Sequence, residues 1–221
     1  MSLRASPRKE YPKELKQALF LKDIIAGARE IRVGDTAHQY LDRLGLAEQL
    51  AHVPRGRLLY HPRLNYWAGK QGTMPAIVAV ADDGYQSSRA VQCTFLRADG
   101  SGLADVGAPR LYFGPMHGHY VSMCEREEGN PDASLLICFR FETALAVINR
   151  WHAQTDKLPR VWLAPSHTNL LRLTLDKAKY FQVSIVLEDT VKTDCAEIGK
   201  WFARLGIPSD YWQASTFLKV G

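Results

Sequence analysis

The sequence predicts an α+β N-terminal part built on an antiparallel sheet, followed by an α/β unit with a small, mainly parallel sheet. Three observations carry this. Between residues 57 and 113, short β-type apolar runs are separated by turn signals. After residue 134, strand-like and helix-like runs alternate, which implies crossover connections between parallel strands. The polar stretch Glu125 to Asp132 divides the two textures.

Residues 1–13 are polar and charged, carry Pro7 and Pro12, and read as an unstructured arm. Leu15, Ala18, Leu19, Lys22 and Ile25 then recur at i, i+3, i+4 spacing, predicting an amphipathic helix that ends near Gly27. Asp35 is an N-cap candidate for a second helix, Thr36 to Leu44, stopped by Gly45. Leu58–Tyr60, Ala76–Val80, Ala90–Phe95 and Arg110–Phe113 are the strand runs, with turn signals at Asp83-Gly84 and Asp99-Gly100, giving four or five antiparallel strands. Beyond the divide, Leu135–Phe139 reads as a strand, Glu142–Trp151 as a helix, Val161–Ala164 as a strand and Asn169–Lys179 as a helix. Val183–Leu187 follows as a strand, Ile198, Trp201, Phe202 and Leu205 mark one helical face, and Trp212–Val220 reads as a last strand. The expected divisions are a basic arm and helix over 1–32, an α+β segment over 33–130 and an α/β domain over 131–221.

The chain of 221 residues is 46% hydrophobic and 23% charged, a globular composition that excludes collagen, coiled coil and wholesale disorder. No apolar run reaches the ~18–20 residues that span a bilayer, so no membrane insertion is expected. Met1 to Glu10 has no apolar stretch of a signal peptide, and a cytoplasmic location is expected. Cys93, Cys124, Cys138 and Cys195 are scattered without a C-x-x-C pair, which suggests neither a zinc ribbon nor a redox dithiol. The net charge of +5 is uneven: residues 1–32 sum to +4, 33–51 to −2, 52–120 to +3 and 121–221 to zero. Arg4, Arg8, Lys9 and Lys13 in the arm, with Arg63, Tyr66, Trp67 and Lys70, are therefore the candidate nucleic-acid contacts, since cations neutralise phosphates and aromatic rings stack on bases. Packing of Tyr66 and Trp67 into the sheet is the competing reading.

Tyr60-His-Pro-Arg-Leu64, Met74–Val80, Arg89, Thr94-Phe-Leu96 and Pro109–Pro115 resemble the segment preceding the Toprim domain in primases of plasmids, prophages and satellite phages. Phe139-Arg-Phe-Glu-Thr-Ala-Leu145, Leu163-Ala-Pro-Ser166 and Ile185–Thr190 continue that resemblance in order, over roughly residues 33 to 205. The resemblance implies a Toprim-like fold for the C-terminal unit. It also implies a Mg²⁺ site in which a glutamate before a glycine ends the first strand and two aspartates end the third. Here those positions carry Phe139 and Arg140, then Glu188 and Thr190, so one carboxylate of three remains. Glu142 lies inside the following helix, and Asp189 faces away from Glu188 on a strand. Phe139, Arg140, Glu142, Glu188, Asp189 and Thr190 are thus a vestigial site, with no catalytic residue, metal or cofactor expected.

Weaker constellations remain. His117-Gly-His119 would place two imidazoles on one strand face as a metal pair lacking a third ligand. Ser166-His167 are sequence neighbours, poor geometry for a nucleophile and its base, and read as a turn. No G-x-x-x-x-G-K-[ST] loop is present. The resulting expectation is a non-catalytic, Toprim-primase-like binding protein of a mobile element. Its partner would be a protein of replication or conjugative transfer, such as a helicase or a DNA-translocating coupling ATPase, with a fertility-inhibition factor as one form. Weak nucleic-acid binding accompanies it. Arg140, with no metal ion to serve, can pair with Glu142 or Glu188, or meet a carboxylate of the partner as the candidate partner contact. A nucleic-acid-binding accessory module and a divergent, active Mg²⁺-dependent primase or nuclease are the alternatives.

Overall fold

Two five-stranded sheets organise the computed structural model, which describes residues 13–69, 72–82, 89–125, 134–164, 166–175, 180, 182–188 and 195–217. The first sheet runs in chain order: β1 (Arg29–Glu30), β2 (Leu58–Asn65), β3 (Thr73–Asp82), β4 (Arg89–Phe95) and β5 (Arg110–Phe113), every neighbouring pair antiparallel. On β3, Ile77, Ala79 and Ala81 enter one apolar cluster while Ala76, Val78 and Val80 enter another. Burial on both faces is why this strand reads as an unbroken apolar run. The register of β2 slips between His61 and Leu64, the stretch holding Pro62, whose missing N–H cannot join a ladder.

Each face of this sheet has its own cover. Helix α1 (Lys13–Ala26), the amphipathic helix expected to end near Gly27, lays Phe20, Leu21, Ile24 and Ile25 against one face; residues 1–12 of the expected arm lie outside the described residues. Helix α2 (Thr36–Arg43) puts Ala37, Tyr40 and Leu41 on the other. Gly45, at φ +67°, ends α2 as expected, with Leu46 N–H bonded back to Leu41 O. Asp35 occupies the N-cap position but caps nothing. Its carboxylate accepts from the Arg32 N–H at 2.8 Å and from Arg29 at 2.6 and 2.7 Å, a stronger charged partner than a helix N–H.

The second sheet comprises β6 (Val121–Cys124), β7 (Ser134–Cys138), β8 (Arg160–Leu163), β9 (Gln182–Leu187) and β10 (Ser209–Gln213) in the order β10-β9-β7-β8-β6. All neighbours are parallel except β6, an antiparallel edge. Helix α3 (Phe141–Thr155) joins Leu136, Cys138, Val161 and Leu163 on one face. Helix α5 (Cys195–Leu205) brings Ile198 and Phe202 to Leu135, Ile137, Val183 and Ile185 on the other. Alternate residues of β7 therefore serve opposite layers, as a doubly covered parallel sheet requires.

Three expected elements are corrected. The helix foreseen over 169–179 is the short α4 (His167–Leu170) followed by a turn, and residues 176–179 lie outside the described residues. The last strand begins earlier, at Ser209 after Pro208, and gives way to a 3₁₀ turn over Ala214–Thr216; its polar start, Ser209-Asp210, hid it. His117 and Gly118 form a turn before β6, so the two histidines share no strand face. The expected division at 130/131 is bridged: β6 precedes it in the chain yet belongs to the second sheet, and Asp82 exchanges backbone hydrogen bonds with Tyr120 at 3.0 and 3.1 Å. One apolar cluster runs from α2 through β2, β3 and β6 into α3. Among the described residues, no helix is long and apolar enough to cross a membrane.

Candidate functional site

Strand β7 sits between β8 and β9. The chain leaves β7 toward β8 and leaves β9 in the opposite direction toward β10, so the carboxyl ends of β7 and β9 flank the point where the winding reverses. Open parallel sheets bind ligands at such a point, because the diverging loops leave a crevice. Phe139-Arg140 follows β7 directly, and Glu188 is the first residue beyond β9. A cleft of about 520 Å³ opens here. Its polar wall holds Arg110, Arg140, Glu142, Thr143 and Glu188, and its apolar wall includes Leu44, Leu46, Leu103, Ala146 and Phe217.

The sequence-predicted residues meet, but with different partners. Glu142 lies in the first turn of α3 and is buried. Its Oε1 accepts from Arg110 Nη2 at 2.7 Å, reaching over from β5, and from the Tyr40 hydroxyl of α2 at 2.8 Å. Its Oε2 is buried with no hydrogen-bond partner. Glu188 Oε1 accepts from Thr143 Oγ1 at 2.6 Å, and its Oε2 stands 3.7 Å from Arg140 Nη1. Arg140 occupies the N-cap position of α3 with extended backbone. Of the two acids open to it, then, Arg140 pairs with Glu188, while Glu142 belongs to Arg110 and Tyr40.

Burial sets the electrostatics. It raises the Glu188 carboxyl above the ordinary glutamate value, with the Thr143 hydrogen bond and Arg140 pulling the other way and Glu142 adding to the rise. Tyr40 is pushed well above the usual tyrosine range by burial and by the Glu142 charge. The Cys138 thiol at the end of β7 is driven up by burial and then by Glu188, and stays protonated.

These residues do not fit the Mg²⁺ ion that the resemblance implies. A hard cation needs convergent, uncompensated carboxylate oxygens, whereas here each acid already holds a guanidinium and a hydroxyl. Among the described residues no group of three metal-ligating side chains converges. Asp189 and Thr190 lie outside the described residues. Phe139 is half-buried against the apolar cluster beneath α5 rather than facing a ligand.

The remaining candidates separate. Tyr66 is buried, its hydroxyl 3.3 Å from Ala108 O, and its ring lies edge-on to Phe95. Trp67 packs edge-on against Phe20, Phe95 and Phe113, so both aromatics serve the core instead of a bound strand. Arg63 is exposed; Arg4, Arg8, Lys9 and Lys70 lie outside the described residues, and Lys13 starts α1. His119 is buried with Nδ1 3.0 Å from His117 O, while His117 is exposed. Ser166 Oγ accepts from the Asn169 N–H at 3.1 Å, the turn that was expected. Sequence reasoning missed Tyr40 and Arg110, which stand 102 and 32 residues from Glu142. The only trace was the place of Arg110 within the Pro109–Pro115 motif.

A family model described as Domain of unknown function (DUF7146) matches residues 16–123, a span that takes in the first sheet with Tyr40 and Arg110 and stops before Arg140, Glu142 and Glu188. No curated protein and no solved structure matches the chain.

Proposed function

We propose that this chain is a non-catalytic binding protein on a Toprim-primase-like scaffold, whose switch-point cleft receives a segment of a partner protein. The single observation that carries the reading is the double neutralisation of the cleft acids, Glu142 by Arg110 and Glu188 by Arg140. A guanidinium beside each carboxylate cancels the charge a Mg²⁺ ion would seek and leaves a polar wall next to an apolar one, a pairing suited to a partner's side chains. The resemblance to primases of plasmids and phages points to the class of partner: a replication helicase or a DNA-translocating ATPase of conjugative transfer, with this chain regulating or inhibiting it.

The experiment has two arms. Purified protein supplied with template, nucleotides and Mg²⁺ or Mn²⁺ should incorporate nothing; incorporation that disappears in Glu188→Ala overturns the reading in favour of an active primase. In the second arm, purified helicase and coupling ATPase are titrated with the protein while ATP hydrolysis is followed. A change in ATPase rate that Arg140→Ala relieves, at unchanged melting temperature, supports the reading. No effect on either ATPase refutes the assigned class of partner.

A further inference from the structure

A second cleft, of about 600 Å³, opens on the α5 face of the second sheet, the face opposite α3 and the switch-point site. Arg172, from the turn after α4, and Lys200 and Arg204, from α5, surround it, with Glu197 the acid among its lining. All three cations are exposed, and no ion pair joins them to an acid among the described residues. Trp201 lies between Lys200 and Arg204 in sequence and is half-buried, anchored by an edge-on contact with Phe202 at 4.7 Å. Leu171 completes an apolar floor.

We propose that this cleft binds a single-stranded nucleic-acid segment, its phosphates on Arg172, Lys200 and Arg204 and a base against Trp201. Lys200 and Arg204 stand at i, i+4, where like charges repel on a helix, and a bound polyanion relieves that repulsion. A free phosphate ion would leave the indole unused, whereas a strand carries a base with every phosphate and so uses the ring and the cations together. The cleft gathers its charge from residues 121–221, whose net charge is zero, so the site exists only through folding. The inference is independent of the reading of the switch-point cleft.

The test is fluorescence anisotropy of the full chain with a labelled oligothymidine of about 12 nucleotides, over a salt series. With three phosphates neutralised, log affinity should fall with log salt at a slope of about −2, and Lys200→Ala with Arg204→Ala should reduce the slope to about −0.7. Trp201→Leu should weaken binding about tenfold at unchanged slope, since stacking displaces no counterions. Melting temperature is checked for each variant. Removal of residues 1–12 should leave the cleft-dependent slope in place. Charge variants that fold and bind as the parent does overturn the proposal. So does binding abolished by loss of residues 1–12 alone, or displacement of the oligothymidine equally well by duplex DNA, by polyglutamate or by inorganic phosphate at matched ionic strength.

Discussion

Replacing Arg110 by alanine should damage the fold far more than replacing Arg140, although Arg140 is the residue that stands out in the sequence. Arg110 and Glu142 are 20% and 8% exposed as side chains and meet at 2.7 Å, so Arg110→Ala strands a carboxylate that the Tyr40 hydroxyl alone must satisfy. Removing one member of a buried pair costs about 3–5 kcal/mol, and the surviving Tyr40 bond places this case near 3. In a chain of this size that corresponds to a fall in melting temperature of about 6–12 °C. Arg140 is 36% exposed and 3.7 Å from Glu188, beyond hydrogen-bond distance, so its loss should cost less than about 1 kcal/mol. Urea and thermal unfolding of the two single variants measure this. Adding Glu142→Gln to Arg110→Ala removes the stranded charge and should restore more than half of the loss. Equal costs for the two arginines, or a double variant no better than Arg110→Ala, would refute the assignment of Glu142 to Arg110.

Other outcomes follow from the same geometry. Because the folded-state pKa of Glu188 is raised above the ordinary 4.5, the native state holds its proton more tightly than the unfolded chain. The associated stability is complete below that value and is lost as pH rises through the folded pKa. Melting curves of the parent and Glu188→Gln between about pH 4 and 8 should show that decline in the parent and a flatter profile in the variant. Gly100 has φ +65°, and a Cβ there would lie 2.9 Å from the Thr36 carbonyl oxygen, so Gly100→Ala should cost about 1–3 kcal/mol in chemical unfolding. Trp67→Ala should destabilise by about 3 kcal/mol through its lost contacts with Phe20, Phe95 and Phe113 while leaving the salt dependence of oligonucleotide binding unchanged. A changed salt slope in that variant would return Trp67 to the list of nucleic-acid contacts.

Local pattern was enough to read most of the elements. The strands at 58, 76, 90 and 110, the alternation after 134 and the Gly45 stop all depend on periodicity or backbone freedom over a few residues, which neighbours in the chain already specify. The cleft cluster was legible for a similar reason: Arg140 and Glu142 sit at one strand-to-helix turn, and Glu188 follows the next strand but one. Which acid each arginine holds was not legible, because Tyr40 and Arg110 arrive from the other sheet's layer through a shared core that no local signal encodes. The same distance hid the sharing of β6 between chain segment and sheet, and the fate of Tyr66 and Trp67, whose chemistry suits a bound base as well as a phenylalanine neighbour. Charge behaves likewise. A segment with zero net charge can still present Arg172, Lys200 and Arg204 around one cleft, because composition sums over the chain whereas a field depends on where folding brings the charges.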